Sequence, residues 1–172
     1  MILLKKFSLF LTISLICLVL CSCGVQTTAP DGGEVQEKIQ IDETDKTVLE
    51  TVRDEILDEL AIEDAMFIET ENLNSLYGIE EGVIKSSGCF VTMSGTFPHE
   101  IIMVEAVDNN AVDTIVTSLE KKLSEVLIQS KSYDAKNYEL AQQCKVYTKG
   151  NYVTLFLSPD HAKMQTILDK YI

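Results

Sequence analysis

The order of apolar and polar positions changes character several times along the chain, and each change marks an element. Residues 7–20 are almost all apolar and follow Lys5 and Lys6, whereas residues 24–45 show no apolar period of either kind. Periodicity begins at Thr47. Val48, Leu49, Val52, Ile56, Leu57 and Leu60 recur at helical spacing, with Glu50, Asp54, Glu55, Asp58 and Glu59 on the complementary side. Thr47-x-x-Glu50 has the form of a capping box that opens this helix. A second helix is predicted over 69–77, stopped by Gly78.

At Val83 the period becomes two. Val83, Lys85, Ser87, Cys89, Val91 and Met93 alternate with Ile84, Ser86, Gly88, Phe90 and Thr92, which predicts a strand broken by residues 94–98. Residues 100–107 resume it with Ile101-Ile102-Met103-Val104, apolar on both faces and so suited to the middle of a sheet. A helix over 109–129 follows, presenting Val112, Ile115, Val116, Leu119, Leu123, Val126 and Leu127. Beyond polar residues 130–137 come a short helix, strands near 144–148 and 152–157 joined through Lys149-Gly150-Asn151, and a last helix opening at Ser158-Pro159. Cys89-x5-Gly95 and Cys144-x5-Gly150 share a spacing, with each glycine between two strands and each strand pair leading to a helix. The expected fold class is α+β: N-terminal amphipathic helices, then two strand-strand-helix units forming a four-stranded, mainly antiparallel sheet packed with helices.

The opening run falls short of the roughly 20 residues a membrane-spanning helix needs, and Lys5 and Lys6 flank it as they would an export signal. Leu20-Cys21-Ser22-Cys23 then resembles the lipobox of bacterial lipoproteins, with an apolar residue three before the Cys and a small one just before it. Cys21 fits less well, because Leu20 stands where the small residue belongs. The expected organisation is a signal peptide at 1–22, lipidated Cys23 and a flexible acidic tether at 23–45, and one α+β domain at 46–172. An uncleaved N-terminal anchor helix is the competing reading. A flexible tether of this length spans about 25 Å.

Charge narrows the partners. The chain carries 14 Lys plus Arg against 27 Asp plus Glu, a net of −13, and loss of Lys5 and Lys6 with a signal leaves 12 against 27, a net of −15. Such a surface repels phosphate backbones, so no nucleic acid is expected as a partner. It also disfavours anionic lipid and wall polymers as direct contacts, which leaves the acyl chains on Cys23 to hold the protein at the outer face of the cytoplasmic membrane. The acid-rich stretch 31–64 offers no calcium loop, because Asp42-x-Thr44-x-Lys46 puts a cation where a ligand belongs.

Once Cys17 and Cys21 leave with the signal and Cys23 is lipidated, Cys89 and Cys144 are the remaining thiols. In an exported protein they are disulfide candidates, or else two small buried apolar residues. The sequence holds no paired-cysteine or HExxH metal spacing, no GxxxxGK and no GxGxxG, so neither metal nor cofactor is expected. His99 and His161 are the available neutral-pH bases; Cys89 with His99 is the conceivable nucleophilic pair, but Cys89 lies in the inward phase of its strand. Phe90, Tyr147, Tyr152 and Phe156 share the strand face opposite Cys89, Val91, Cys144, Val146, Val153, Leu155 and Leu157. Either the helix at 47–60 covers these aromatics, or they form a candidate binding face for a peptide, glycan or partner protein.

Leu76-Tyr77-Gly78-Ile79 after an amphipathic helix, Glu100-Ile101-Ile102 opening a strand, and Lys149-Gly150-Asn151-Tyr152-Val153 before the closing helix resemble a family of Gram-positive, clostridial-type lipoproteins catalogued as domain of unknown function 4358. The resemblance spans residues 46–172. It implies a lipobox, which Cys23 satisfies, and it transfers no catalytic or ligand residue. The resulting expectation is a lipid-anchored, extracytoplasmic, non-enzymatic binding or envelope-assembly module, with the membrane and an envelope protein or small ligand as partners. The alternatives are a small hydrolase or thiol-dependent enzyme, or a lipoprotein that captures a small ligand. A two-lobed transport receptor does not fit into about 125 residues.

Overall fold

Thr47 closes the capping box in full: its Oγ1 accepts the Glu50 N–H at 3.2 Å, and Glu50 Oε2 accepts the Thr47 N–H at 2.8 Å. This start belongs to a computed structural model that describes residues 45–95 and 97–172; the signal segment, Cys23 and nearly all of the tether lie outside the described residues. Helix α1 runs over Val48–Glu59 and buries Leu49, Val52 and Ile56, the stripe its period predicts. Ala61 then turns the chain with φ 50°, and Ile62 N–H bonds back to Leu57 O at 2.9 Å.

The next element is a strand absent from the sequence reading, β1 at Ala65–Ile68. A 3-10 turn at Thr70–Asn72 leads into α2, Leu73–Tyr77, which ends as predicted on Gly78 at φ 69°. Strands β2 (Ile84–Ser87), β3 (Cys89–Thr92) and β4 (Glu100–Ala106) precede the long helix α3 (Asn109–Tyr133) and the short helix α4 (Ala135–Ala141). Strands β5 (Val146–Lys149) and β6 (Tyr152–Leu157) precede α5 (His161–Leu168). The final helix therefore opens three residues after Ser158, because Ser158 Oγ accepts the Asp160 N–H at 2.9 Å in a turn of its own.

The sheet has six strands rather than four. Its order is β1-β3-β4-β6-β5, with β2 also on β4, and the pairings are antiparallel. Two causes account for the difference. One is β1, paired to β3 from Ala65↔Thr92 to Ile68↔Cys89. The other is Gly88, which divides the predicted strand into β2 and β3 although the register on β4 is unbroken from Ser86↔Glu105 to Val91↔Glu100. At Gly88 the backbone of α1 comes so close that a Cβ would lie 2.4 Å from Leu49 O, so only glycine fits.

As its two-sided apolarity predicts, β4 is central, and its side chains divide between two cores. Ile102, Val104 and Ala106 join Cys89, Leu155 and Leu157 beneath Ala111, Ile115 and Leu119 of α3. Ile101 and Met103 join Phe90 and Phe156 beneath α1 and Met164, Ile167 and Leu168 of α5. The helices of the two strand-strand-helix units thus lie on opposite faces, giving three layers. Lys170 Nζ ties the end of the chain to α1 through Glu55 Oε1 at 2.6 Å and Glu59 Oε1 at 3.0 Å.

Candidate functional site

Polar groups and open apolar surface come together at one end of the α3-side layer. The β3–β4 connection is closed by reciprocal bonds, Thr92 N–H to His99 O at 2.8 Å and His99 N–H to Thr92 Oγ1 at 2.9 Å. This loop walls a half-open cleft of about 430 Å³. Val91 and Leu157 form its floor on the sheet, Phe97 and Pro98 its loop side, and Val126, Gln129, Ser130 and Asn137 its helical side. Met93 stands at the mouth and is 77% exposed. Mostly apolar walls with a few convergent polar groups are the usual make-up of a ligand site.

Two polar groups in the cleft have fixed surroundings. Glu100 Oε1 accepts from Tyr77 Oη at 3.0 Å and pairs with Lys122 Nζ at 2.9 Å, so two of the segments that carry the family resemblance meet here. Burial, with the Glu100 charge second, holds the Tyr77 phenol far above its ordinary value, so it stays a neutral donor. His99 Nδ1 lies 2.8 Å from Ser158 Oγ. That is the spacing of a nucleophile and its base, but Ser158 is 1% exposed and its oxygen also accepts the Asp160 N–H. The contact ties the loop to the α5 turn and offers no open hydroxyl to a substrate. Asp64 lies nearby, held below the usual carboxylate range by the Ser94 hydroxyl and, more weakly, by His99.

The residues singled out in the sequence are distributed differently. Cys23 is outside the described residues. Cys89 and Cys144 share the α3-side core as buried free thiols. Cys89 Sγ accepts the Met103 N–H at 3.4 Å, and burial pushes its thiol up to about 12, the reverse of an activated nucleophile. His99 therefore has no thiolate to serve, while His161 contacts the Ser158 carbonyl through Nδ1 at 3.1 Å.

The face that carries Phe90, Tyr147, Tyr152 and Phe156 is roofed rather than open over its phenylalanines. Phe90 is 0% exposed and Phe156 is buried, because α5 joins α1 above them. Tyr147 and Tyr152 are half-buried at the rim, with Tyr147 Oη donating to Asp169 Oδ1 at 3.3 Å. Sequence reasoning missed the cleft, since its walls come from segments up to 66 residues apart, from Val91 to Leu157. The signal available was local: Met93 is a large apolar side chain at the end of its strand that no core takes up, 77% exposed.

Among the described residues no cluster of three or more His, Cys, Asp or Glu is placed to hold a metal ion, and no helix is long and apolar enough to cross a membrane. Residues 58–158, more than half of the chain, match the family described as Domain of unknown function (DUF4358). No curated protein and no solved structure matches the chain.

Proposed function

We propose, from the premise that this chain belongs to the family described as Domain of unknown function (DUF4358), that it is an exported lipoprotein of the Gram-positive, clostridial type whose domain is a non-enzymatic binding or envelope-assembly module. Lipid on Cys23 holds it at the outer face of the cytoplasmic membrane, and the 430 Å³ cleft receives its partner or small ligand. The anchor reading is supported by Lys5-Lys6, the apolar run to Leu20 and Leu20-Cys21-Ser22-Cys23. Two or more acyl chains give stable attachment where one gives only marginal binding.

The observation that carries the binding reading is the apolar mouth of the cleft at Met93, beside a carboxylate already neutralised by Lys122. Such a site offers area and shape, with adaptable methionine at the contact. Two measurements test the proposal. Mass spectrometry of the mature protein is expected to show an N-terminal Cys23 carrying diacylglyceryl and acyl groups; an intact, unmodified N-terminus overturns the anchor. Crosslinking in intact cells is expected to yield one stoichiometric envelope partner, or purification a bound small molecule, and Met93→Asp to abolish the recovery with stability changed by no more than about 0.5 kcal/mol. Undiminished recovery in that variant overturns the cleft as the site.

A further inference from the structure

The two edges of the sheet are protected in different ways. An edge strand presents a row of unpaired N–H and C=O groups, and proteins usually blunt it with lysine, proline or a covering element. At one edge, β5 is bracketed by Lys145 and Lys149, and Lys149 Nζ reaches the Ile172 carbonyl at 2.6 Å. The other edge is β1, Ala65-Met66-Phe67-Ile68, with no cation and no proline in it and no strand on its outer side among the described residues. Met66 is 48% and Phe67 51% exposed, on opposite faces of the sheet. The Arg53 guanidinium lies 4.0 Å from the Phe67 ring centroid and is itself paired with Asp54 at 3.0 Å.

Acids stand at both ends of this strand. Glu63 and Asp64 precede it, Glu69 and Glu71 follow it, and all are exposed. Asp64 accepts from Ser94, while Glu63, Glu69 and Glu71 have no cation within salt-bridge distance among the described residues.

We propose that β1 is a docking strand for an extended segment of a partner protein, with an apolar centre of about four residues and lysine or arginine at both ends. Main-chain hydrogen bonds to the open edge supply the attachment, and Met66 and Phe67 give apolar contact on either face. At about 3.4 Å per residue, the carboxylates at the two ends stand roughly 17 Å apart, so basic residues just beyond a four-residue centre meet both pairs. The same acids disfavour a second copy of this chain, whose β1 would set carboxylates against carboxylates. A domain of this net charge selects the cationic segment over the anionic one before contact is made.

The test uses the full-length protein in neutral detergent micelles and the capped peptide Lys-Lys-Val-Ile-Val-Ile-Lys-Lys, with the glutamate-ended version as control. Hydrogen exchange is expected to slow at residues 65–68 on addition of the lysine peptide and not of its control. The triple variant Glu63→Gln, Glu69→Gln, Glu71→Gln, altered only at exposed positions, is expected to weaken binding about tenfold at low salt and less at high salt. Three results overturn the proposal: no protection at 65–68, equal binding of both peptides, or protection produced by concentrating the protein alone, which would assign the edge to a second copy.

Discussion

Replacing Gly88 with alanine is expected to destabilise the domain by about 2 kcal/mol. The new Cβ would lie 2.4 Å from Leu49 O and 2.6 Å from Leu49 C, against an ordinary carbon separation of about 3.5 Å or more. Both obstructing atoms are helix backbone, so no side-chain rotation relieves the clash and the first turn of α1 must retreat by about 1 Å. That retreat opens the layer in which Leu49, Val52, Ile56 and Phe90 are fully buried. Forced overpacking costs about 1–3 kcal/mol, and a backbone obstacle places this case near 3. The lower chain entropy of unfolded alanine returns about 0.4–1 kcal/mol. Gly82 is the control, because nothing lies within 4 Å of its Cβ position and its φ is ordinary. Gly82→Ala is therefore expected to be neutral or slightly stabilising. Urea denaturation with unchanged slopes measures both, and the melting temperature of Gly88→Ala is expected to fall by roughly 8 °C. A Gly88→Ala unfolding free energy within about 0.5 kcal/mol of the parent's would refute the close approach of α1 to the sheet.

Other consequences can be measured separately. Thr47→Ala is expected to cost about 1 kcal/mol through loss of the cap, read by the same denaturation curves. The Thr47 N–H, foremost among its contacts, holds the Glu50 carboxyl below its usual range, so this contribution is present above the ordinary carboxylate pKa and lost as pH falls through the folded value. Glu50→Gln is therefore expected to flatten part of the acid limb of the stability profile. Cys89 and Cys144, whose thiols burial raises, are expected to resist iodoacetamide at pH 8 until the protein is denatured, then both to react without prior reduction; rapid native labelling would contradict their burial. Tyr77→Phe and Lys122→Met are expected to couple by about 0.5–1 kcal/mol in a double-mutant cycle, because both act on Glu100 Oε1. Additive losses would refute a coupling of the two side chains through that oxygen.

The elements with a sustained period were legible in the sequence, and the misses have physical causes. The capping box, the Gly78 stop, the central β4 and the division of strand residues between two faces all followed from local pattern. Strand β1 did not, because four residues carry too little alternation and its partners lie on β3, from Cys89 to Thr92. The turn before it gave no glycine signal, since Ala61 takes the left-handed conformation itself. Helix α3 runs on to Tyr133 through a polar stretch, where the Ser130 and Ser132 hydroxyls bond back to the Val126 and Ile128 carbonyls at 2.7 and 3.4 Å instead of competing for backbone N–H groups. Asp134 then ends one helix and caps the next, its Oδ1 accepting the Lys136 and Asn137 N–H groups. For the aromatic face, the sequence identified which side chains share it but left its cover open between α1 and solvent. The added roof, α5, follows from three-dimensional packing. The cleft was illegible for the same reason, as a product of loop, helix and strand ends.

The layer formed by α1, Phe90, Phe156 and α5 also constrains the order in which the molecule can be completed. Helix α1 is the first described helix to be synthesised, yet part of its packing surface is made by α5, the last described one, and Lys170 clasps Glu55 and Glu59 only after α5 has been made. A nascent chain ending before α5 leaves α1 on the sheet but uncovers Phe156 and the side of α1 that meets Met164, Ile167 and Leu168. The α1-side layer is therefore complete only once α5 is in place, and removal of residues 161–172 is expected to raise protease cleavage within α1.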